Sequence, residues 1–293
     1  MATLYTQIDS NNRKTWLLMA LFSLVVISVG WAISYYYGNN AFLFFATGLA
    51  IFQTFFSYWY SDKIIMASFA ATPIKKDDNP ELYRIVENLA ITAGLPMPKV
   101  YIINTQQINA FATGRDEKNA AIAVTTGLLE KLEKPEIEGV ISHEMAHIGN
   151  KDILLQTVIV GLIGVISIIG EMFFRGGFNN DRDNDRNNSP LAIVAIIFIV
   201  LSPLIGRLIQ FSVSRKREFL ADSTGALLTR YPEGLARALE KISEDKVEFK
   251  KANTGTEHLF IANPFRGEKI ANFFSTHPPI EERIKALRNL ENK

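Results

Sequence analysis

Two imidazoles set four residues apart, with a carboxylate next to the first, stand in the run Ile141-Ser142-His143-Glu144-Met145-Ala146-His147-Ile148. The run reads as helix, and on a helix positions i and i+4 lie one above the other. His143 and His147 can therefore offer two nitrogens to one metal ion, with zinc the ion this pattern suits. Glu144 projects from the adjacent edge, placed to take a proton from water at that metal. A catalytic zinc needs a third protein ligand and one open position. Within Arg217-Glu218-Phe219-Leu220-Ala221-Asp222, Glu218 and Asp222 share a helix face at i and i+4. Beside the paired histidines, Glu218 reads as the third ligand and Asp222 as the acceptor for a histidine's second ring nitrogen. Taken alone, the same two acids read as surface charges offsetting Arg215, Lys216 and Arg217.

The elements that must position these groups are unusual. A hydrophobic fraction of 48% and a mean hydropathy of +0.09 average two unlike populations. Four long blocks are nearly free of charge, and the rest is an ordinary polar sequence. The expected organisation is a polar arm over 1–14, a transmembrane hairpin over 15–60 with spans 15–37 and 41–60, and a soluble part over 61–152. A second transmembrane pair follows over 153–213, with spans 153–174 and 190–213, and a second soluble part covers 214–293. Apolar stretches of about 20 residues are long enough to span a bilayer and too long for a signal-peptide core. Aromatics such as Tyr35, Tyr36, Tyr37, Trp59 and Tyr60 cluster near the ends of the first two blocks, where the bilayer interface favours them.

Arg13, Lys14, Lys63, Lys75, Lys76, Lys151, Arg215, Lys216 and Arg217 fall on one side of the blocks, which puts both termini and the soluble parts in the cytoplasm. His147 lies six residues before the third block and Glu218 five after the fourth. At 1.5 Å per residue, unbroken helices would bring both to about 8–9 Å above the same membrane face. In the soluble parts, Asn79-Pro80 opens a helix that stops at Gly94; 99–103, 110–113 and 120–125 read as strands, 126–132 as a short helix, and Pro135 opens the helix carrying His143. A helical stretch runs from the fourth block to Leu228, followed by a polar region to Lys293.

Exclusions are equally concrete. With no cysteine there are no disulfides and no thiolate-bound metal. A net charge of +1 gives no electrostatic footprint for nucleic acid, and there is no phosphate-binding G-x-x-x-x-G-K-[ST] loop for a nucleotide. His258 and His277 have no partner at ligand spacing, so each reads as structural or substrate-facing. His277, in Ser275-Thr276-His277-Pro278-Pro279, and the nearby Arg283 could supply the donor or cation that a developing oxyanion needs, or serve the scaffold.

With H-E-M-A-H, E-F-L-A-D, N-A-F-A-T-G and S-T-H-P-P in one chain of four apolar blocks, the sequence closely resembles the HtpX-type heat-shock membrane proteases, which group with the CAAX prenyl proteases in one zinc-peptidase family. The likeness extends over nearly the whole chain. It implies a mainly α membrane protein with four transmembrane helices and a cytoplasmic α+β zincin-like domain containing a small sheet. It implies one zinc ion per chain on His143, His147 and Glu218, with Glu144 as general base and acid. It also implies that Asn109, Ala110, Phe111 and Ala112 belong to an edge strand that pairs with an extended substrate, and that His277 and Arg283 face that substrate. The implied role is endoproteolysis of misfolded membrane proteins in the bacterial inner membrane under stress, with polypeptide substrates and the lipid bilayer as partners. A prenyl-peptide protease is the alternative within the enzyme class, although that branch characteristically has more spans. A polytopic transporter with a coincidental motif is the alternative from another class.

Overall fold

A helical hairpin leads the chain: α1 (Leu4–Tyr37) and α2 (Ala41–Ser68) join through a tight turn in which Gly38 takes φ +63°. The computed structural model describes residues 4–163, 215–247, 256–262 and 278–291. The far half of the third apolar block, the whole of the fourth, and His277 lie outside these residues. Both hairpin helices are long and apolar enough to cross a membrane, and only 28% and 22% of their apolar windows are buried, so neither is the core helix of a globular domain. Trp31, Tyr35, Phe44, Phe45 and Phe52 are among the side chains left on the outside. Helix α1 is already formed at Leu4, so the described part of the arm expected over 1–14 continues into the first helix. Helix α2 likewise runs past residue 60 to Ser68.

Four strands follow: β1 (Thr72–Pro73), β2 (Lys99–Ile103), β3 (Ala110–Gly114) and β4 (Ala120–Thr125). They form one sheet in the order β1-β2-β4-β3, with β2 and β4 parallel and the other pairs antiparallel. Between β1 and β2 sits α3 (Pro80–Ala93). Its start is set by the Asn79 side chain, which accepts from Leu82 N–H at 3.1 Å, and its end by Gly94 at φ +67°, where a β-carbon would be strained. Leu82, Ile85, Val86 and Leu89 bury its inner face in the core shared with the sheet.

After α4 (Thr126–Lys131) comes α5 (Lys134–Gly149), the helix of the paired histidines. The Glu136 carboxylate caps it by accepting from Glu133 N–H at 2.7 Å. Helix α5 shows little amphipathicity because it is enclosed on several sides: Val140, Ile141, Met145 and Ile148 are fully buried, and so are the polar residues between them. Around it pack α3, α7 (Arg215–Thr229) and α8 (Pro232–Glu244), with α9 (Ile280–Glu291) against α7 and α8. Two glycines permit the close approaches. A β-carbon on Gly139 would meet Leu235 backbone N at 2.5 Å, and one on Gly225 would meet His143 backbone N at 2.9 Å. The α8 and α9 helices, unassigned from sequence, are cross-linked by Arg288, which reaches Glu233 and Glu240 at 2.9 Å each.

Helix α5 does not run straight into the third apolar block. Lys151 takes φ +55°, and Asp152 N–H bonds back to His147 carbonyl at 3.0 Å, before α6 (Ile153–Ile163) begins. The unbroken-helix height expected for His147 therefore does not apply. Leu155, Val158, Ile159 and Leu162 of α6 bury against Leu18, Met19 and Phe22 of α1, joining the first and third apolar blocks, while Ile65 and Met66 of α2 bury with Phe111, Ala121 and Ala123, so the hairpin and the soluble part share a core.

Candidate metal centre

Helix α5 contributes His143, Glu144 and His147, and the first described turn of α7 contributes Glu218. One ligand atom from each of His143, His147 and Glu218 falls within a cluster no wider than 4.8 Å, and all three residues are buried. The two Nε2 atoms are 3.1 Å apart, and the Glu218 carboxylate lies 3.8 Å from His143 Nε2 and 3.7 Å from His147 Nε2. The opposite ring nitrogens are already engaged. His143 Nδ1 meets Asp222 Oδ1 at 2.9 Å, and His147 Nδ1 meets Asp152 Oδ2 at 3.1 Å. A carboxylate at Nδ1 fixes the proton there and leaves Nε2 with a free lone pair. Two aimed lone pairs and a carboxylate, enclosed and with no lysine among them, fit a divalent cation that accepts nitrogen and oxygen donors.

The surrounding charges support the same purpose. Burial pulls His143 down to about 4 despite the Asp222 bond, which keeps it the neutral imidazole that ligation requires. Burial also pulls on His147, but its hydrogen bond to Asp152 and the carboxylates of Glu218 and Glu144 outweigh it and push it up to about 9. In the metal-free protein His147 thus holds at Nε2 a proton that a metal ion would displace. Asp222 is held near 2: burial opposes its ionisation, and the charge and hydrogen bonds of Arg283 overcome that. Glu144 is pushed up to about 7, chiefly by burial, while Ala112 N–H donates to its carboxylate. A carboxyl poised near neutrality suits a group that must both take and return a proton.

Arg283, fully buried on α9, reaches the centre but is committed to its frame. Its Nε and Nη2 donate to the two Asp222 oxygens at 2.9 and 2.7 Å, and Nη1 donates to Ile261 carbonyl at 2.9 Å. Nη1 is 3.9 Å from Glu218. His258 is buried, its Nε2 3.4 Å from Gln156 carbonyl.

Strand β3 is the outer strand of the sheet beyond β4, and α5 packs on it. Asn109 carbonyl accepts from Thr125 N–H, so ladder alternation turns Ala110, Ala112 and Gly114 away from β4. Several of their outward groups are taken by the chain itself. Ala110 carbonyl accepts from Ile261 N–H at 3.1 Å, Ala112 N–H serves Glu144, and Gly114 N–H donates to Thr157 Oγ1 at 3.1 Å. Asn109, just before the strand, holds the same covering segment by donating Nδ2 to Ala262 carbonyl at 3.3 Å. Phe111 points to the other face, its ring packed between Phe69 and Phe260 at 5.5 and 5.3 Å. Asp152 and the segment 256–262 carry no sequence signal at ligand spacing. Asp152 comes into range only through the turn at Lys151, and the segment only through the fold.

Comparison with known proteins places these features in context. A family model described as Peptidase family M48 matches residues 76–291. Proteins named "Protease HtpX homolog" match along almost the whole chain. The one from Thermococcus sibiricus is 47% identical, covering 94% of this chain and 95% of its own. The one from Dictyoglomus thermophilum is 42% identical, covering 98% and 94%. That from Caldanaerobacter subterraneus is 43% identical, covering 98% of both. Among solved structures, S. mikatae Ste24p shares the fold at a TM-score of 0.52 and 20% identity; the match covers 94% of this chain, which spans 66% of that one.

Proposed function

The chain belongs to peptidase family M48, and from that premise we propose that it is a membrane-embedded, zinc-dependent endopeptidase that cuts misfolded or damaged integral membrane proteins at the cytoplasmic face. The observation that carries this reading is the convergence of His143 Nε2, His147 Nε2 and the Glu218 carboxylate beside the buried Glu144. His143, His147 and Glu218 would hold the metal. Zinc bound there supplies Lewis acidity and lowers the pKa of water toward neutrality. Glu144 takes a proton from the attacking water as its oxygen bonds to the scissile carbonyl carbon. It then hands that proton to the leaving amine as the carbon–nitrogen bond breaks. Asp222 and Asp152 keep the two imidazoles in the tautomer that presents Nε2. In this reading Arg283 acts first by holding Asp222, since three of its five N–H groups donate to Asp222 and to Ile261 carbonyl.

A substrate in extended form would pair along β3, using backbone groups for affinity. Because Ile261 bonds to Ala110, that pairing requires the 256–262 segment to yield, so a substrate must compete with the chain's own backbone. The two hairpin helices, apolar and mostly exposed, support a bilayer setting. The cytoplasmic orientation rests on the basic residues flanking the apolar blocks, and the bacterial inner membrane on the family likeness.

The test is a choice between substrates. In detergent or vesicles, the wild-type protein should cleave a destabilised membrane protein at a cytoplasmic segment and leave a prenylated C-terminal peptide intact, while Glu144→Gln should cleave neither. Preferential cleavage of the prenylated peptide would replace this reading with the prenyl-protease alternative.

A further inference from the structure

A buried amide on the first membrane helix is wired to the metal centre. Asn11 of α1 is almost fully enclosed, where a side-chain amide without partners would be costly. Its Nδ2 donates to Asp152 Oδ1 at 2.7 Å, and its Oδ1 accepts from Arg217 Nη1 at 3.4 Å. Arg217 Nη1 also lies 3.7 Å from Asp152 Oδ1. The other Asp152 oxygen is the one that meets His147 Nδ1 at 3.1 Å. Three elements distant in sequence, α1, the α5–α6 turn and the start of the described α7, are therefore joined at one carboxylate that touches a ligand ring.

That carboxylate has a rotational freedom which the fold must remove. Asp152 follows a residue with positive φ, and its own backbone N–H is anchored on His147 carbonyl at 3.0 Å, but neither fixes χ2. The short, charge-assisted bond from Asn11 holds Oδ1, and with Oδ1 held, Oδ2 can only point at the imidazole. We propose that Asn11 and Asp152 are positioning residues for the metal centre: Asn11 orients Asp152, Asp152 orients His147, and the first membrane helix is thereby part of the site. This rests on the reading of His147 as a ligand. It explains why a polar side chain is buried at the start of an apolar helix, in the turn before Thr15, whose hydroxyl donates to Asn11 carbonyl at 2.9 Å.

The experiment uses the full-length chain in detergent with Glu144→Gln in every sample, so that self-cleavage cannot intervene. Co2+ is the probe, its Kd read by chelator competition and its ligand field by the visible absorption of the bound ion. Partners of metal-ligating histidines are typically worth about 10–100-fold in metal affinity. We expect Asp152→Asn to raise the Kd within about that range and Asn11→Ala to raise it about tenfold, both shifting the absorption bands. The double variant should bind no more weakly than Asp152→Asn alone, because the two residues act along one path. Thr15→Val, which disturbs the same helix turn without touching Asp152, should leave the Kd and the spectrum at the parent's values. Should Asn11→Ala fail to fold, Asn11→Ser, which draws the donor back from Asp152, carries the same expectation. An unchanged Kd in the Asn11 variants would overturn the proposal, as would an equal loss in Thr15→Val or effects that multiply in the double variant. If the parent holds no Co2+ that His143→Ala removes, the metal reading itself falls and takes this inference with it.

Discussion

At Arg283 the scaffold and the chemistry compete for one side chain. The residue stands close to the ligands, and three of its five N–H groups donate to both oxygens of Asp222 and to Ile261 carbonyl. Arg283→Ala would strand a buried carboxylate, a loss of about 3–5 kcal/mol by the usual cost of breaking a buried pair. Denaturant unfolding measures it. Arg283→Lys should recover only part, because an ammonium cannot reproduce the two-pronged contact. Glu144 gives a pH signature of the opposite kind. Burial raises it from 4.5 to about 7 in the metal-free protein, so the folded state keeps a proton that the unfolded state gives up across that window. The Glu144 contribution to metal-free stability therefore falls as pH rises from about 4.5 to about 7 and levels off beyond. Glu144→Gln escapes this loss, so its melting-temperature advantage over wild type should widen across the window; a constant difference would mean that Glu144 is not buried as described. The pairing of His143 with His147 was legible because helical spacing of four carries its own geometry, whereas the approach of Glu218 needed α7 to pack on α5. Asp152 was not, because its approach to His147 depends on a left-handed turn at Lys151 that no periodicity announces.

At the level of elements, the metal centre is the meeting of α5 with α7, and Gly225 sets how close they come. A methyl there would press on the backbone of His143 at 2.9 Å, where nothing can swing aside. Gly225→Ala is expected to cost about 1–3 kcal/mol as an overpacked contact, and to weaken metal binding because α5 and α7 carry separate ligands. A chelator titration beside an unfolding curve separates the two effects; an unchanged metal affinity would show that the α5–α7 spacing is not critical. Elements with strong local signals were legible: Asn79, Pro80 and Gly94 bracket α3, and β2 and β4 are runs rich in β-branched and small apolar residues. Order within the sheet was not, since β4 inserts between β2 and β3 through long-range pairing. The contact of Ile261 with the outer edge of β3 was illegible for the same reason: Ile261 is far from Ala110 in sequence and finds it only in the folded chain.

For the whole molecule, the hairpin is more than an anchor. Ile65 and Met66 of α2 share a buried cluster with Phe111 and Phe260, and Asn11 reaches the carboxylate behind His147, so the apolar hairpin and the candidate metal centre are packed together. The apolar blocks made the membrane character readable from composition, whereas this fusion required contacts between residues more than a hundred positions apart, such as the pair Asn11–Asp152, separated by 141. The central claim is that His143, His147 and Glu218 hold one metal ion which Glu144 serves as base. Metal content per chain, measured together with cleavage of a model membrane substrate in wild type, Glu144→Gln and His143→Ala, tests it most directly. The account predicts a stoichiometric ion in wild type and Glu144→Gln, its loss in His143→Ala, and cleavage by wild type alone; a metal-loaded Glu144→Gln that cleaves at the wild-type rate, or an active metal-free His143→Ala, would contradict it.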